Sequence, residues 1–201
     1  MIAKGNNMFQ SYVKQEAEAT EHLLGFVPMK LEELKKEMED SVKDIPSVKY
    51  EEWDCELEKN VVRTWYPFVD TSIVEEMLNL FYSTIVVRIY TFAENGLRIL
   101  SEISTKPKQP KGLSGQKQQS DIDLYYQEIE KKQGISLPPI ETLWPNKDSF
   151  HALRKRITHH GQNQLTKQES DSLSTELETI LKMLLFIEEQ IRVKNPEFDP
   201  K

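Results

Sequence analysis

Residues 72 to about 104 constrain this chain more than any other stretch. Ile73, Met77, Leu80, Phe81, Ile85, Val87, Ile89, Phe92, Leu97 and Leu100 recur so that nearly every side of a helix through them is apolar. Ser72-Ile73-Val74-Glu75, ahead of most of them, has the form of a capping box. At 1.5 Å of rise per residue the helix would run on the order of 45 Å. A helix apolar all round belongs in the middle of a fold, with other helices packed about it. The C-terminal segment supplies one. Thr166-Lys167-Gln168-Glu169 is a second capping box, and Leu173, Leu177, Ile180, Leu184, Ile187 and Ile191 follow in four-three alternation. That spacing is a bundle seam, sustained to about Val193, where Asn195-Pro196 stops it. With only 7 glycines in 201 residues, the two stripes predict an all-α fold. It is an up-and-down helical bundle with long central and C-terminal helices, in a single domain over 1–201.

Shorter helices are expected around this pair. Met8, Tyr12 and Leu23 mark one over 8–24, closed by Gly25 ahead of Pro28. Leu31, Leu34, Met38 and Val42 form a helical stripe from Pro28 to Val42 that Ile45-Pro46 ends. Tyr50, Trp53, Leu57, Val61 and Trp65, mostly at three- and four-residue steps, predict a helix over 49–66 before Pro67. Residues 105–119 hold four lysines, two prolines, two glycines and no acid, so they read as a flexible basic loop. A short helix from Ser120 to Gln133 and the Pro138-Pro139 and Trp144-Pro145 turns lead to a helix beginning near Lys147, which Asn146 or Asp148 can cap and Gly161 can end.

Charge and missing features exclude several functions. A formal charge of -7 argues against gripping nucleic acid through the whole surface, although a local basic patch remains open. The lone Cys55 has no partner for a disulfide or a cysteine-based zinc site. The longest charge-free apolar stretch, Met77 to Val87, is too short to span a bilayer, and MIAKGNNMFQ lacks the apolar core of a signal peptide. No membrane association and a cytoplasmic location are expected.

One run stands against the acidic background. Arg154, Lys155, Arg156, His159 and His160 crowd seven positions at the end of the Lys147 helix. The helix macrodipole alone favours cations there. A metal site would need more than these histidines and His151, since no Cys, Asp or Glu at ligand spacing completes a set. No hydrolase elbow surrounds any serine. On a helical wheel Phe150, Leu153 and Ile157 share a buried stripe, His160 lies near its edge, Arg154 flanks it and His159 points well away. Arg154 and His159, five positions apart, differ by about 140°. Either the helix unwinds at Gly161, or the pair acts across a second copy of the chain.

Arg154-Lys155-Arg156-Ile157-Thr158-His159, on a late helix of an all-α chain, resembles the R-x4-6-H motif of the HEPN superfamily. FYSTIVVRIYTFAENGLRIL, residues 81–100, is similar to the helix many members carry before the motif, with Glu94 at the acidic position. The resemblance implies a homodimeric bundle and a metal-independent endoribonuclease of the toxin, abortive-infection or phage-defence kind, with no cofactor. Two Arg-His motifs would meet in one composite site. Arg154 and His159 or His160 would be catalytic, the former at the commoner spacing and the latter favoured by the helical wheel. Glu94, Lys155 and Thr158 would support them, and Arg156, Lys106, Lys108 and Lys111 would contact RNA. Two features depart from the family: Lys155 stands where relatives carry Asn, Asp or His, and Gly161 replaces the tyrosine of members modified by a nucleotidyltransferase antitoxin. RNA, a second copy and an antitoxin or other regulatory protein are the expected partners. Two alternatives are a catalytically inactive HEPN-like module that binds RNA or a nucleotide, and a helical adaptor docking a protein through the 173–191 seam.

Overall fold

The structure, a computed structural model, describes residues 8–54, 59–102, 120–161 and 164–198. In chain order its elements are α1 (Met8–Lys43), β1 (Val48–Asp54), β2 (Lys59–Trp65), α2 (Ser72–Ser101), α3 (Asp121–Gln133), α4 (Ile140–Leu143), α5 (Lys147–His160), α6 (Lys167–Asp171) and α7 (Leu173–Lys194). The fold is predominantly α-helical, as the two apolar stripes require. By packing, the chain divides into two compact units, Met1–Leu24 with Tyr82–Lys201, and Gly25–Phe81. Cys55, Leu57, the 105–119 segment and its Lys106, Lys108 and Lys111 lie outside the described residues.

The first unit is a helical bundle. From Ser83 onward α2 is buried on most sides, with Ile85, Val86, Ile89, Tyr90, Ala93, Leu97 and Leu100 at most 3% exposed. Every seam residue of α7 is buried as well, each such side chain contributing about 2 kcal/mol of hydrophobic stabilisation. This seam is the chain's own core, which overturns the expectation that it docks a partner: nothing could reach it without unfolding the bundle. At Gly96 an added Cβ would come within 2.5 Å of Leu184 Cδ1, so the missing side chain lets α7 sit against the α2 backbone. Phe9, Val13 and Ala17 of α1, Ile122, Tyr125 and Ile129 of α3, and Trp144 complete the core.

Three local expectations are corrected. First, α1 runs unbroken through Pro28, and Gly25 does not adopt a left-handed capping conformation. Proline removes one backbone donor, but the stripe of covered positions, Thr20, Leu24, Val27, Leu31, Lys35, Met38 and Val42, continues through it at helical spacing. Second, 49–66 is an antiparallel hairpin and no helix, in the register Val48↔Trp65, Tyr50↔Arg63 and Glu52↔Val61. Valine, threonine, tyrosine and tryptophan favour strands there, and cross-strand Arg63 reaches Glu52 at 2.7 Å. The three- and four-residue steps read as helical were a coincidence within a short segment. Third, the Ser72 amide donates to Asp70 at 2.9 Å and Glu75 receives Lys35 at 3.3 Å, so the expected reciprocal box does not close on Ser72.

Among the described residues, all but three of the exposed large apolar side chains, Met8, Tyr12 and Val193, belong to Gly25–Phe81. They include Tyr50, Trp53, Val62 and Trp65 on the hairpin and Phe68 beyond it.

Candidate functional site

Helix α5 carries the basic run, and two buried polar groups fix where it begins. Glu176, in the first turn of α7 and 4% exposed, accepts Trp144 Nε1 at 2.8 Å and Asn146 Nδ2 at 2.6 Å. Asn146 is therefore the N-cap residue by position only; its amide is turned to α7 and makes no capping bond. Lys147, 5% exposed, hydrogen-bonds the Asp123 carboxylate, which also closes the capping box of α3 with Ser120. Burial raises the Asp123 carboxyl, yet the bonds from Lys147 and Ser120 outweigh it and hold the group below its usual range. Burial likewise works against the Lys147 ammonium, and Asp123 more than compensates, leaving its affinity for the proton raised.

At its other end α5 stays regular to His160 and is closed by Gly161 in the left-handed conformation, φ 61° and ψ 17°. Unwinding, one of the two routes expected to bring Arg154 to a histidine, does not occur. On a regular helix His159 lies about 140° from Arg154 and His160 about 120° the other way, so neither shares its side of α5. Both imidazoles are exposed, and Thr158 donates to the Arg154 carbonyl at 2.9 Å. Lys155 is exposed one turn beyond His151. Arg156, expected at RNA, instead pairs with Glu169 at 2.8 Å, the carboxylate that closes the Thr166 capping box of α6. Burial pushes Glu169 up, but the Thr166 amide and Arg156 outweigh it and lower the carboxyl overall. That pairing commits Arg156 to the joint between α5 and α6.

Arg154 is organised by a residue that the sequence did not single out. Its guanidinium carbon lies 5.3 Å from the centroid of the Tyr90 ring, within the range of an attractive cation–π contact. The Tyr90 hydroxyl makes a 2.7 Å hydrogen bond with His151 Nδ1, and the two rings stand 5.4 Å apart. Tyr90 thus holds a guanidinium with its face and an imidazole with its hydroxyl. Burial first, then the Glu94 carboxylate, raises the phenol well above its ordinary range, against a smaller pull from Arg154. Glu94 stands one turn along α2 from Tyr90. Burial, followed by the charges of Lys155 and Arg154, lowers the His151 pKa. The available sequence signals were weak: His151 precedes Arg154 by three residues and Tyr90 precedes Glu94 by four, each one helical turn.

Among the described residues no three His, Cys, Asp or Glu side chains stand together as a metal-holding group, and no helix is long and apolar enough to cross a membrane. Set against protein-family models, curated proteins and solved structures, the chain matches none.

Proposed function

We propose that the chain is a metal-independent endoribonuclease of the HEPN type, a cytoplasmic toxin or defence effector whose site is shared by two copies. The observation that carries this reading is a guanidinium, Arg154, restrained on an aromatic face about one and a half turns from a pair of exposed imidazoles on one helix end. A cation fixed before substrate arrives stabilises charge on a phosphorus centre without reorganising in the transition state. Arginine suits it because its planar fork can bind two phosphate oxygens at once. Histidine titrates near neutrality and can move protons. One imidazole takes the proton of the RNA 2′-hydroxyl, the freed oxygen attacks phosphorus, and the bond to the 5′-oxygen breaks as a second acid protonates it. The products are a 2′,3′-cyclic phosphate and a 5′-hydroxyl.

The regular helix separates Arg154 from both imidazoles within one chain, and in this proposal a second copy about a twofold axis supplies the pairing. Purified protein should cut RNA in the presence of EDTA and run as a dimer, and Arg154→Ala or a joint His159→Ala, His160→Ala change should abolish cutting. Undiminished cleavage by those variants refutes the assignment. A second reading, a protein-interaction role, draws on the apolar side chains exposed on Gly25–Phe81 and would survive loss of the Arg-His motif.

A further inference from the structure

An open cleft of about 820 Å³ lies among α3, the 137–139 connection, α4 and α5, a size typical of small-molecule sites. Helix α5 lines it with Lys147, Asp148, His151, Ala152 and Lys155, a spacing that makes one stripe along the helix. This stripe carries a charge gradient. At its start the Lys147 ammonium meets three carboxylates, Asp123, Glu141 at 3.5 Å and Asp148 at 3.4 Å, so that end is acidic overall. Toward the other end come His151 and Lys155, with Arg154 beside them on Tyr90. With its Nδ1 occupied by Tyr90, His151 has its second ring nitrogen left for a ligand. The facing wall sets Tyr126, Leu137, Pro138 and Pro139 beside the polar Gln127 and Glu130 of α3, with the Glu130 carboxylate held by the Leu137 amide at 2.9 Å. From Asp148 to Lys155 the helix rises about 10 Å, comparable to a nucleoside monophosphate from its phosphate to the outer edge of its base.

We infer that this cleft is a nucleotide subsite. The phosphate lies at His151 and Lys155, the base lies against the Tyr126 and proline wall, and an exocyclic amino group donates to Glu141 or Asp148. A carboxylate accepts from the amino groups of cytosine, adenine or guanine and finds none on uracil. The inference deepens the RNA-cleavage reading and rests on it for the ligand being a ribonucleotide; it adds that the nucleotide beside the cut is chosen by its base. A phosphate alone fits less well, since the acidic end of the cleft would repel it.

Calorimetric titration of the full chain with CMP, AMP, GMP, UMP, cytidine and inorganic phosphate tests it directly. At least one amino-bearing monophosphate should bind about tenfold more tightly than UMP, and more tightly than cytidine or phosphate. Ala152→Trp, a change at an exposed position lining the cleft, should remove that binding while the melting temperature holds. Lys155→Glu should weaken the monophosphate and leave cytidine unchanged. Equal affinity for UMP, no binding of any monophosphate, or binding that survives both substitutions overturns the inference. The two readings fail separately. Binding without RNA cleavage sinks the nuclease and keeps the subsite, whereas base-indifferent cleavage that Ala152→Trp leaves intact does the reverse.

Discussion

Glu176→Gln should destabilise the protein through the start of α5 while leaving every candidate catalytic group in place. The carboxylate is almost fully buried and accepts two hydrogen bonds, one on each oxygen, from Trp144 and Asn146. Glutamine keeps the shape but replaces one acceptor with an N–H2 group, so one of the two buried donors must face another donor. Hydrogen bonds to a charged acceptor contribute about 1.5–3 kcal/mol, and an orphaned buried donor costs a similar amount. Working the other way, the neutral side chain escapes the desolvation cost of a buried anion. That relief is limited here, because Glu176 sits in the first turn of α7, where the helix dipole favours negative charge. The net loss should be about 2 kcal/mol, or a melting temperature lowered by roughly 4–8 °C for a chain of this size. Glu176→Ala should lose more, about 3–5 kcal/mol, since both donors are stranded and a cavity is added. Thermal unfolding followed by circular dichroism at neutral pH measures both. A glutamine variant that melts at or above the wild-type temperature refutes the claim that the two hydrogen bonds accepted by Glu176 anchor α5.

The buried Asp123–Lys147 pair predicts a pH window. Because the carboxyl is lowered in the fold, its contribution is complete above its unfolded pKa and disappears as pH falls through the folded value. Because the ammonium is raised, its share is complete below its unfolded pKa and disappears as pH rises through the folded value. The stability difference between wild type and Asp123→Asn should therefore be greatest near neutrality and shrink toward both extremes; a pH-independent difference counts against the pair. Tyr90→Phe, which removes the bond to His151 Nδ1 but keeps the ring under Arg154, should cost about 1 kcal/mol in denaturant unfolding. The same variant should raise the His151 pKa seen by proton NMR, since losing the neighbouring phenol opens the ring to water; an unmoved titration contradicts the contact. Gly96→Ala gains about 1 kcal/mol of helix propensity but drives a Cβ to 2.5 Å from a fully buried Leu184. Overpacking of about 1–3 kcal/mol should leave it less stable, whereas a higher melting temperature would show that Leu184 has room to move.

The legible and illegible parts of the candidate site divide along a physical line. The helix bearing Arg154 and its closure at Gly161 were readable, because periodicity and a left-handed glycine end are set by residues a few positions apart, whereas the start near Lys147 makes no capping bond and is held by Glu176, 30 residues beyond Asn146. Arg156 illustrates the opposite. In sequence it is one more cation in a basic run; in space it meets Glu169, thirteen residues on. Tyr90 and His151 lie 61 residues apart, and no local spacing announces that a tyrosine within an apolar stripe will turn its hydroxyl to a histidine. The hairpin was misread for a related reason, since a short run of aromatic and branched residues satisfies a two-residue and a three-to-four-residue repeat alike.

Ile73, Met77 and Leu80 of the central stripe stay exposed, but by itself the sequence determined the helical character of the chain, the burial of the 85–100 part of that stripe and of the 173–191 stripe, and the helix end at Gly161. Each follows from free energies that depend on near neighbours, namely side-chain hydrophobicity repeating with the helix and glycine's ease at positive φ. Tertiary structure alone decided that α1 passes through Pro28, that Arg156 is paired and that Tyr90 joins Arg154 to His151. Those outcomes turn on which distant groups share a desolvated space, where an unmet donor or charge is costly and a met one is stabilising, and that choice exists only once the helices have packed.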